Sequence, residues 1–329
     1  MKVGINGFGR IGKCIFLQII DDSSVNIRAI NINNLDIMDF EHYINYDSIH
    51  KTKKYSIQIE ENNYIKINEK RIKIFKEKDP KKIDWFNEGV EYLFETTGKF
   101  LTTKEAQKHN ANFILMSAPP KDTTPIFCYG ANENNYNGEN VVSGASCTTN
   151  CIAPLIKYLN KFEIDNANFI TIHSATPSQS VSDTANLSKR TYRSILNNII
   201  LHTTGASKSL DIIFPELKNK IIGNSVRVPV SNVSMVDINI EFKKNINKCK
   251  IIDYIKQVKS DIITLNDLRL VSSDFIGTKI PTIIDEYSIT QLTPNKIKMA
   301  VWYDNEWSYS SQIIKLLKYM FNYNYTANN

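Results

Sequence analysis

The chain has 329 residues, 42% of them hydrophobic, and a net charge of +6. That apolar content is enough for packed cores and excludes a disordered chain, and at roughly 100–200 residues per domain the length predicts two domains. Lys and Arg are scattered among Asp and Glu, which argues against a nucleic-acid partner, and no stretch approaches the ~18 apolar residues of a membrane span.

Lys2–Asn6 reads as a short apolar strand. It runs into Gly7-Phe8-Gly9-Arg10-Ile11-Gly12, then a helix with Ile11, Ile15, Ile19 and Ile20 on one side, then a strand at Ile27-Arg28-Ala29-Ile30. The G-x-G-x-x-G run alone is a weak signal and fits a tight turn equally well. Between a strand and a helix it has the context of a dinucleotide-binding βαβ unit, with a pyrophosphate lying on the helix N-terminus. Arg10 and Lys13 interrupt any apolar leader, so no signal peptide is expected. The alternating Ile57, Ile59, Ile65, Ile67, Ile72 and Ile74 predict antiparallel strands attached to a parallel sheet. Tyr92-Leu93-Phe94-Glu95-Thr96-Thr97-Gly98 and Phe113–Pro120 read as strands, with a helix near Thr103–Lys108 between them. Thr97 and Ser117 lie at strand ends, where plain capping and lining of a cofactor crevice are both open readings.

Asn140-Val141-Val142 predicts a strand that leads through Ser143-Gly144-Ala145-Ser146 into a helix with Ile152, Leu155, Ile156 and Leu159 on one face. Cys147 then sits near the helix N-terminus, where unpaired N–H groups and the macrodipole favour an anion and lower a thiol pKa. Ser146 and Thr148 flank it with hydroxyls suited to a phosphate or an oxyanion. The alternative is a buried structural cysteine, and the polar, hydroxyl-rich surroundings favour the nucleophile. Five cysteines at irregular spacing form no disulfide framework and point to a reducing compartment, expected to be the cytoplasm. Cys147 and Cys151 are one helical turn apart, but no second ligand pair completes a metal site, and none is expected.

Asn168–Thr176 reads as a strand with His173 near its end, and one helix plus a return strand can bring His173 beside Cys147. Pro177 to Ile200 is a long polar stretch carrying Arg190 and Arg193. Thr203-Thr204-Gly205-Ala206, a helix near Lys208–Phe214 and a long strand region from Val226 to Phe242 follow. A helix near Ile251–Ile262, strands at Leu268–Val271, Thr282–Gln291 and Lys296–Trp302, and an amphipathic helix from Ile313 to Phe321 complete the chain. Long strands with fewer helices predict an α+β second domain.

Ala145-Ser146-Cys147-Thr148-Thr149-Asn150-Cys151 resembles the active-site signature of phosphorylating glyceraldehyde-3-phosphate dehydrogenases. The resemblance extends from Val3–Gly12 to Trp302-Tyr303-Asp304-Asn305-Glu306-Trp307. It implies an α/β fold, with a Rossmann-type NAD(P)-binding domain over residues 1–146, completed by a C-terminal helix at 310–329, and a catalytic α+β domain over 147–309. It also implies a homotetramer. In the implied chemistry His173 takes the thiol proton and Cys147 attacks the aldehyde of glyceraldehyde 3-phosphate. Hydride loss to the nicotinamide leaves a thioester, which inorganic phosphate cleaves to 1,3-bisphosphoglycerate.

By the same resemblance, Thr176 and Arg227 match the site for the substrate phosphate. Ser146, Thr148, Arg193, Thr204 and Gly205 match the site for inorganic phosphate. Gly7, Gly9, Arg10, Ile11, Gly12, Thr97, Ser117, Asn305 and Tyr309 match cofactor-binding positions, Asn305 holding the nicotinamide carboxamide. Ile32 departs from the pattern, because NAD users of the family carry a ribose-binding carboxylate there. Thr184-Ala185 stands where strict NAD users tend to carry Leu-Pro. Both departures imply tolerance of NADP, although no Arg or Lys is evident to replace the carboxylate. Erythrose-4-phosphate dehydrogenase is the alternative, read from Ile172-His173-Ser174-Ala175. Thr176 and Thr203–Lys208 favour the triose phosphate.

Overall fold

Val3 and Ile5 have no solvent exposure, and the strand that carries them, β1 (Lys2–Asn6), lies inside an eight-stranded sheet. The structure is a computed structural model and describes residues 1–185 and 190–327. It divides into two units, one of Met1–Phe127, Asn132–Ala145 and the chain from Ile313 onward, the other of Cys128–Ala131 and Ser146–Gln312.

In the first unit β1 is followed by α1 (Arg10–Ile19), β2 (Asn26–Asn31), α2 (Phe40–Asn45), β3 (Gln58–Glu60), β4 (Tyr64–Ile67) and β5 (Lys70–Phe75). Next come β6 (Tyr92–Glu95), α3 (Thr103–Ala106), β7 (Phe113–Met116) and β8 (Val141–Ser143). The sheet order is β3-β4-β5-β2-β1-β6-β7-β8. Strands β5, β2, β1, β6, β7 and β8 run parallel, and β3 and β4 add an antiparallel edge. The order reverses at β1, between β2 and β6, so a crevice opens beyond the C-terminal ends of β1 and β6, where this fold binds nucleotides. The antiparallel attachment is confined to residues 58–75, and Ile57 precedes it.

The second unit holds α4 (Cys147–Leu159), β9 (Ile164–His173), β10 (Ile200–His202), α5 (Ala206–Ile213), β11 (Ile221–Arg227) and β12 (Ser234–Phe242). It continues with α6 (Lys248–Gln257), β13 (Ile263–Asn266), β14 (Thr282–Asp285), β15 (Thr290–Thr293) and β16 (Lys296–Tyr303). Its mixed sheet runs β10-β11-β9-β12-β16-β14-β13, with β15 beside β16. Strand β16 alternates cleanly: Ile297, Met299, Val301 and Tyr303 are buried and the residues between them are half-buried, the period-two signature of a strand with one covered face. Helix α4 packs on β14, β16 and α5. A last helix, α7 (Trp307–Ala327), ends the described chain and buries Leu316, Leu317 and Met320.

Three sequence expectations need correction. The single strand region Val226–Phe242 is two strands, broken at residues 228–233 by Pro229 and by Val233 in the left-handed region at φ 66°. Leu268–Val271 is not a strand: Leu268 and Val271 are exposed, and the pairing strand is Ile263–Asn266. Thr282–Gln291 is interrupted by a 3-10 turn at Glu286–Ser288. Within the Pro177–Ile200 stretch, Ile195–Asn197 forms a 3-10 turn. Residues 186–189, and the last two of the expected terminal helix, lie outside the described residues. Among the described residues no helix is long and apolar enough to cross a membrane.

Candidate active site

Ser146 is the N-cap of α4, its Oγ accepting from Thr149 N–H at 3.1 Å, so Cys147 is the first helical residue. Ala145 just before it is buried at φ 56°, a left-handed conformation costly for a residue with a Cβ and most often found at functional sites. The parallel register of β9 and β11 sets Arg227 beside His173 and Ser225 beside Thr171. Thr171 and His173, two residues apart, share the buried face of β9.

These placements converge. Cys147 Sγ lies 3.3 Å from His173 Nε2. His173 Nδ1 lies 2.9 Å from Ser174 O. With an N–H at Nδ1 donated to that carbonyl, Nε2 is an acceptor facing the thiol; the Arg227 guanidinium, a donor only, meets the same Nδ1 and favours the opposite tautomer. Arg227 Nη1 abuts His173 Nδ1 and donates to Ser174 O at 3.1 Å, while its buried Nε has no partner among the described residues. Tyr303 Oη joins Thr148 Oγ1 at 3.0 Å and Thr171 Oγ1 at 2.8 Å, and its ring meets the His173 ring edge-on at 6.1 Å.

The electrostatics differ from the lowered thiol pKa expected at a helix N-terminus. Burial pushes the Cys147 thiol up, and the opposing Arg227 charge and backbone N–H groups do not outweigh it. Burial also pulls His173 down to about 3, helped by Arg227. At neutral pH the pair is therefore a neutral thiol facing a neutral imidazole, a base with a free lone pair.

The other candidate residues have definite places. Thr176 bonds through both N–H and Oγ1 to Gln179 Oε1, each at 2.9 Å. Asn305 Oδ1 accepts from Ser174 Oγ at 2.8 Å and Ser234 Oγ at 2.9 Å, leaving its Nδ2 donors unused among the described residues. Tyr309 is buried. Thr204 Oγ1 accepts from Ala206 N–H, and Gly205 caps α5, which packs on α4. Arg193 is not drawn to the cysteine: it is exposed and paired with Asp183 at 2.9 Å.

In the first unit the glycine run follows β1. Gly7 has φ 93°, and a Cβ on Gly12 would lie 2.2 Å from Gly7 O, so only glycine fits. A Cβ on Gly9 would meet nothing within 4 Å, and α1 has no side-chain cap and no acid in its first turn. The start of α1 thus carries neither a side-chain cap nor an acid, as a cradle for a pyrophosphate requires. Thr97 borders a cavity of about 450 Å³ with Gly7, Gly9 and Ile32. Ser117 N–H is committed to Glu95 O. The Arg10 side chain is not free for a ligand: it forks onto Asp47 at 2.5 and 3.2 Å, and the buried Lys13 joins at 2.8 Å. Burial would raise the Asp47 carboxyl, but the two cations hold it well below the usual range. Neither this ion cluster nor the Tyr303 bridge was anticipated from sequence; Tyr303 sat inside the quoted Trp302–Trp307 run, whereas Asp47 gave no signal.

Residues 1–103 match the family model of the glyceraldehyde 3-phosphate dehydrogenase NAD binding domain, and residues 146–305 that of the glyceraldehyde 3-phosphate dehydrogenase C-terminal domain. The chain is 37% identical over 330 residues to glyceraldehyde-3-phosphate dehydrogenase B of Aspergillus oryzae, covering 97% of this chain and 98% of that one. It is 38% identical over 333 residues to the Podospora anserina glyceraldehyde-3-phosphate dehydrogenase, covering 98% of both. It is 36% identical over 329 residues to glyceraldehyde-3-phosphate dehydrogenase 1 of Bacillus subtilis, covering 97% and 98%. The chain belongs to the glyceraldehyde-3-phosphate dehydrogenase family, as an oxidoreductase with a Rossmann-type sheet for NAD(P).

Proposed function

We propose that this protein is a phosphorylating glyceraldehyde-3-phosphate dehydrogenase working reversibly in glycolysis and gluconeogenesis, with Cys147 as nucleophile and His173 as its base. The carrying observation is the 3.3 Å contact from Cys147 Sγ to His173 Nε2, with both groups neutral at pH 7. Sγ adds to the aldehyde carbon while Nε2 takes the thiol proton and delivers it to the former carbonyl oxygen, giving a hemithioacetal on Cys147 and a neutral His173. When bound, NAD(P) supplies the hydride acceptor that lets the hemithioacetal become a thioester. His173 Nε2 takes the hydroxyl proton as the hydride leaves; inorganic phosphate then attacks the thioester carbon, the C–S bond breaks, and Nε2 returns the proton to Sγ as the acyl phosphate departs.

Arg227 and Thr176 take the substrate phosphate in this reading; the buried, unpartnered Nε of Arg227 supports that role. Ser146, Thr148, Arg193, Thr204 and Gly205 take inorganic phosphate. Gly7, Gly9, Arg10, Ile11 and Gly12 hold the pyrophosphate through the backbone, with Ile32, Thr97 and Ser117 lining the cofactor crevice. Asn305 donates its free amide to the carboxamide, and Tyr309 packs near that ring. Residues 1–146 and 310–329 carry cofactor binding, and 147–309 the chemistry. Exposed Val181, Leu196, Ile199, Leu201 and Ile222 support burial in a homotetramer, and a cytoplasmic setting suits five cysteines that form no disulfide among the described residues. The names of the relatives favour the triose phosphate over erythrose 4-phosphate.

The test is reduction of NAD and of NADP by glyceraldehyde 3-phosphate with and without inorganic phosphate. Phosphate-dependent turnover is expected. Turnover indifferent to phosphate, or faster with erythrose 4-phosphate, overturns the assignment.

A further inference from the structure

Asn6, Asn31 and Glu95 are buried, and the residues that follow them, Gly7, Ile32 and Thr96, line the cavity beside the glycine run. The three buried side chains belong to one hydrogen-bonded chain. Glu95 Oε1 accepts from Thr97 N–H at 2.8 Å and from Thr97 Oγ1. Its Oε2 accepts from Asn6 Nδ2 and from His109 Nε2, the latter at 3.2 Å. Asn6 Nδ2 and His109 Nε2 lie 3.3 Å apart because both reach that oxygen. Asn6 Oδ1 accepts in turn from Asn31 Nδ2 at 2.7 Å, and the Asn31 amide pairs with the backbone N–H and carbonyl of Glu77, each at 2.9 Å. Glu77 precedes Lys78, a further wall residue of the cavity. The ends of β1, β2 and β6 and the segment after β5 are thus tied to one another by side chains.

The donor–acceptor order admits one proton assignment. An indole N–H only donates, and Trp85 Nε1 lies 3.2 Å from His109 Nδ1. Nδ1 is therefore the acceptor, and the imidazole proton sits on Nε2, facing Glu95. Every other partner of that carboxylate is a donor as well, so it accepts throughout, as an anion. We propose that Glu95 and His109 are positioning residues for the cofactor. The buried carboxylate sets the spacing of the crevice walls, and His109, its tautomer locked by Trp85, holds the carboxylate in that register. Glu95, His109 and Trp85 do not line the cavity, so they act only through the residues that do. The proposal rests on the cofactor reading above, and it carries a specific frustration. Glu95→Gln keeps the shape but replaces one acceptor by a donor. Turned one way, the new amide meets the two donors of Thr97; turned the other, it meets Asn6 and His109. His109 cannot move its proton to Nδ1 and accept from that amide while Trp85 donates there. Trp85→Phe removes the indole N–H and frees the switch.

The experiment is calorimetric titration of the full chain with NAD and with NADP, in the wild type, Glu95→Gln, Trp85→Phe and the double variant. Iodoacetamide labelling of Cys147 and 15N spectra of the His109 ring at pH 7 accompany it. The wild-type ring should be neutral and protonated at Nε2. Glu95→Gln should weaken cofactor binding by about tenfold and leave the labelling rate of Cys147 unchanged. The double variant should bind more tightly than Glu95→Gln, with the His109 proton moved to Nδ1. A wild-type ring protonated at Nδ1 overturns the proposal whether or not the variants fold. Unchanged affinity in Glu95→Gln overturns it too, as do losses that simply add in the double variant. A Glu95→Gln chain that also loses Cys147 labelling would reduce Glu95 to a general structural residue. Binding of neither NAD nor NADP to the wild type would remove the cofactor reading and the positioning role together.

Discussion

Arg227 Nη1 rests against Nδ1 of His173, the ring nitrogen remote from Cys147. A fixed positive charge there disfavours a second one on the ring, so it acts with burial to keep the imidazole neutral. The same charge favours a thiolate on Cys147, against the larger effect of burial. One guanidinium thus makes the thiol a readier proton donor while holding the imidazole neutral and weakening it as an acceptor, and it also has an unpartnered Nε to offer a phosphate.

The first prediction concerns that pair. His173→Asn should slow turnover by about 10²–10⁴-fold, the usual worth of a general base, and slow iodoacetamide labelling of Cys147 in the free enzyme. In the wild type the labelling rate should show no step near pH 6.5, because His173 stays neutral down to about 3. A step at 6.5, or labelling unchanged in the variant, would dissolve the pairing. The sign for stability follows. The folded ring resists a proton that the unfolded ring accepts below about 6.5, so stability falls on acidification from there toward 3. Urea midpoints at pH 7 and pH 4 should therefore lie closer together in His173→Asn than in the wild type.

The two arginines should separate. Arg193 is exposed and paired with Asp183, whereas Arg227 is half-buried against His173. Arg193→Ala should raise KM for inorganic phosphate alone. Arg227→Ala should raise KM for the sugar phosphate by about ten- to a hundredfold, the loss expected for a hydrogen bond to a charged group, and should also lower kcat through His173. Steady-state kinetics with each ligand varied in turn checks this; a shared effect on one ligand would show that the two anion sites are misassigned.

Tyr303→Phe keeps the ring against His173 and deletes the hydroxyl that bridges Thr148 and Thr171. Both threonines are buried, so stranding their hydroxyls should cost about 1–3 kcal/mol, read from denaturant midpoints. Thr148 would also lose its orientation, so KM for phosphate should rise more than KM for the aldehyde. A fully stable variant with unaltered phosphate KM would reduce Tyr303 to a space-filling residue.

The parts legible in the sequence were those written in contiguous residues. The glycine turn, the helix opening at Cys147 and the strand ending at His173 each announce themselves locally, and the spacing allowed the last two to meet. What stayed hidden depended on pairing between distant segments. Register alone sets Arg227 against His173. A fold-back of 37 positions brings Asp47 onto Arg10, and Lys78 and Lys99 reach one cavity from after β5 and after β6. Apolar content misled at Leu268 and Val271, which are exposed although hydrophobic, because apolarity does not fix which face of a segment is covered. The helix N-terminus that favours a thiolate at Cys147 is visible in sequence, whereas the desolvation that opposes it is not.

The last prediction places a carboxylate at position 32. Ile32→Asp would add an acceptor for the ribose hydroxyls, repel a 2′-phosphate and draw on the charges of Lys78 and Lys99, which face the same cavity. All three effects favour NAD over NADP. The wild type should use both cofactors within about two orders of magnitude in kcat/KM, and the variant should shift the ratio toward NAD by about tenfold or more, near 1.4 kcal/mol. Because Ile32 is buried, Asp there carries a desolvation cost, so the ratio is the informative quantity: lost stability lowers both kcat/KM values together and leaves it fixed. The alternative is that Asn33 or Asn34 replaces the missing acid on the ribose; the wild type would then already be confined to NAD and Asp would change nothing. An unchanged ratio would therefore move the control of specificity away from Ile32.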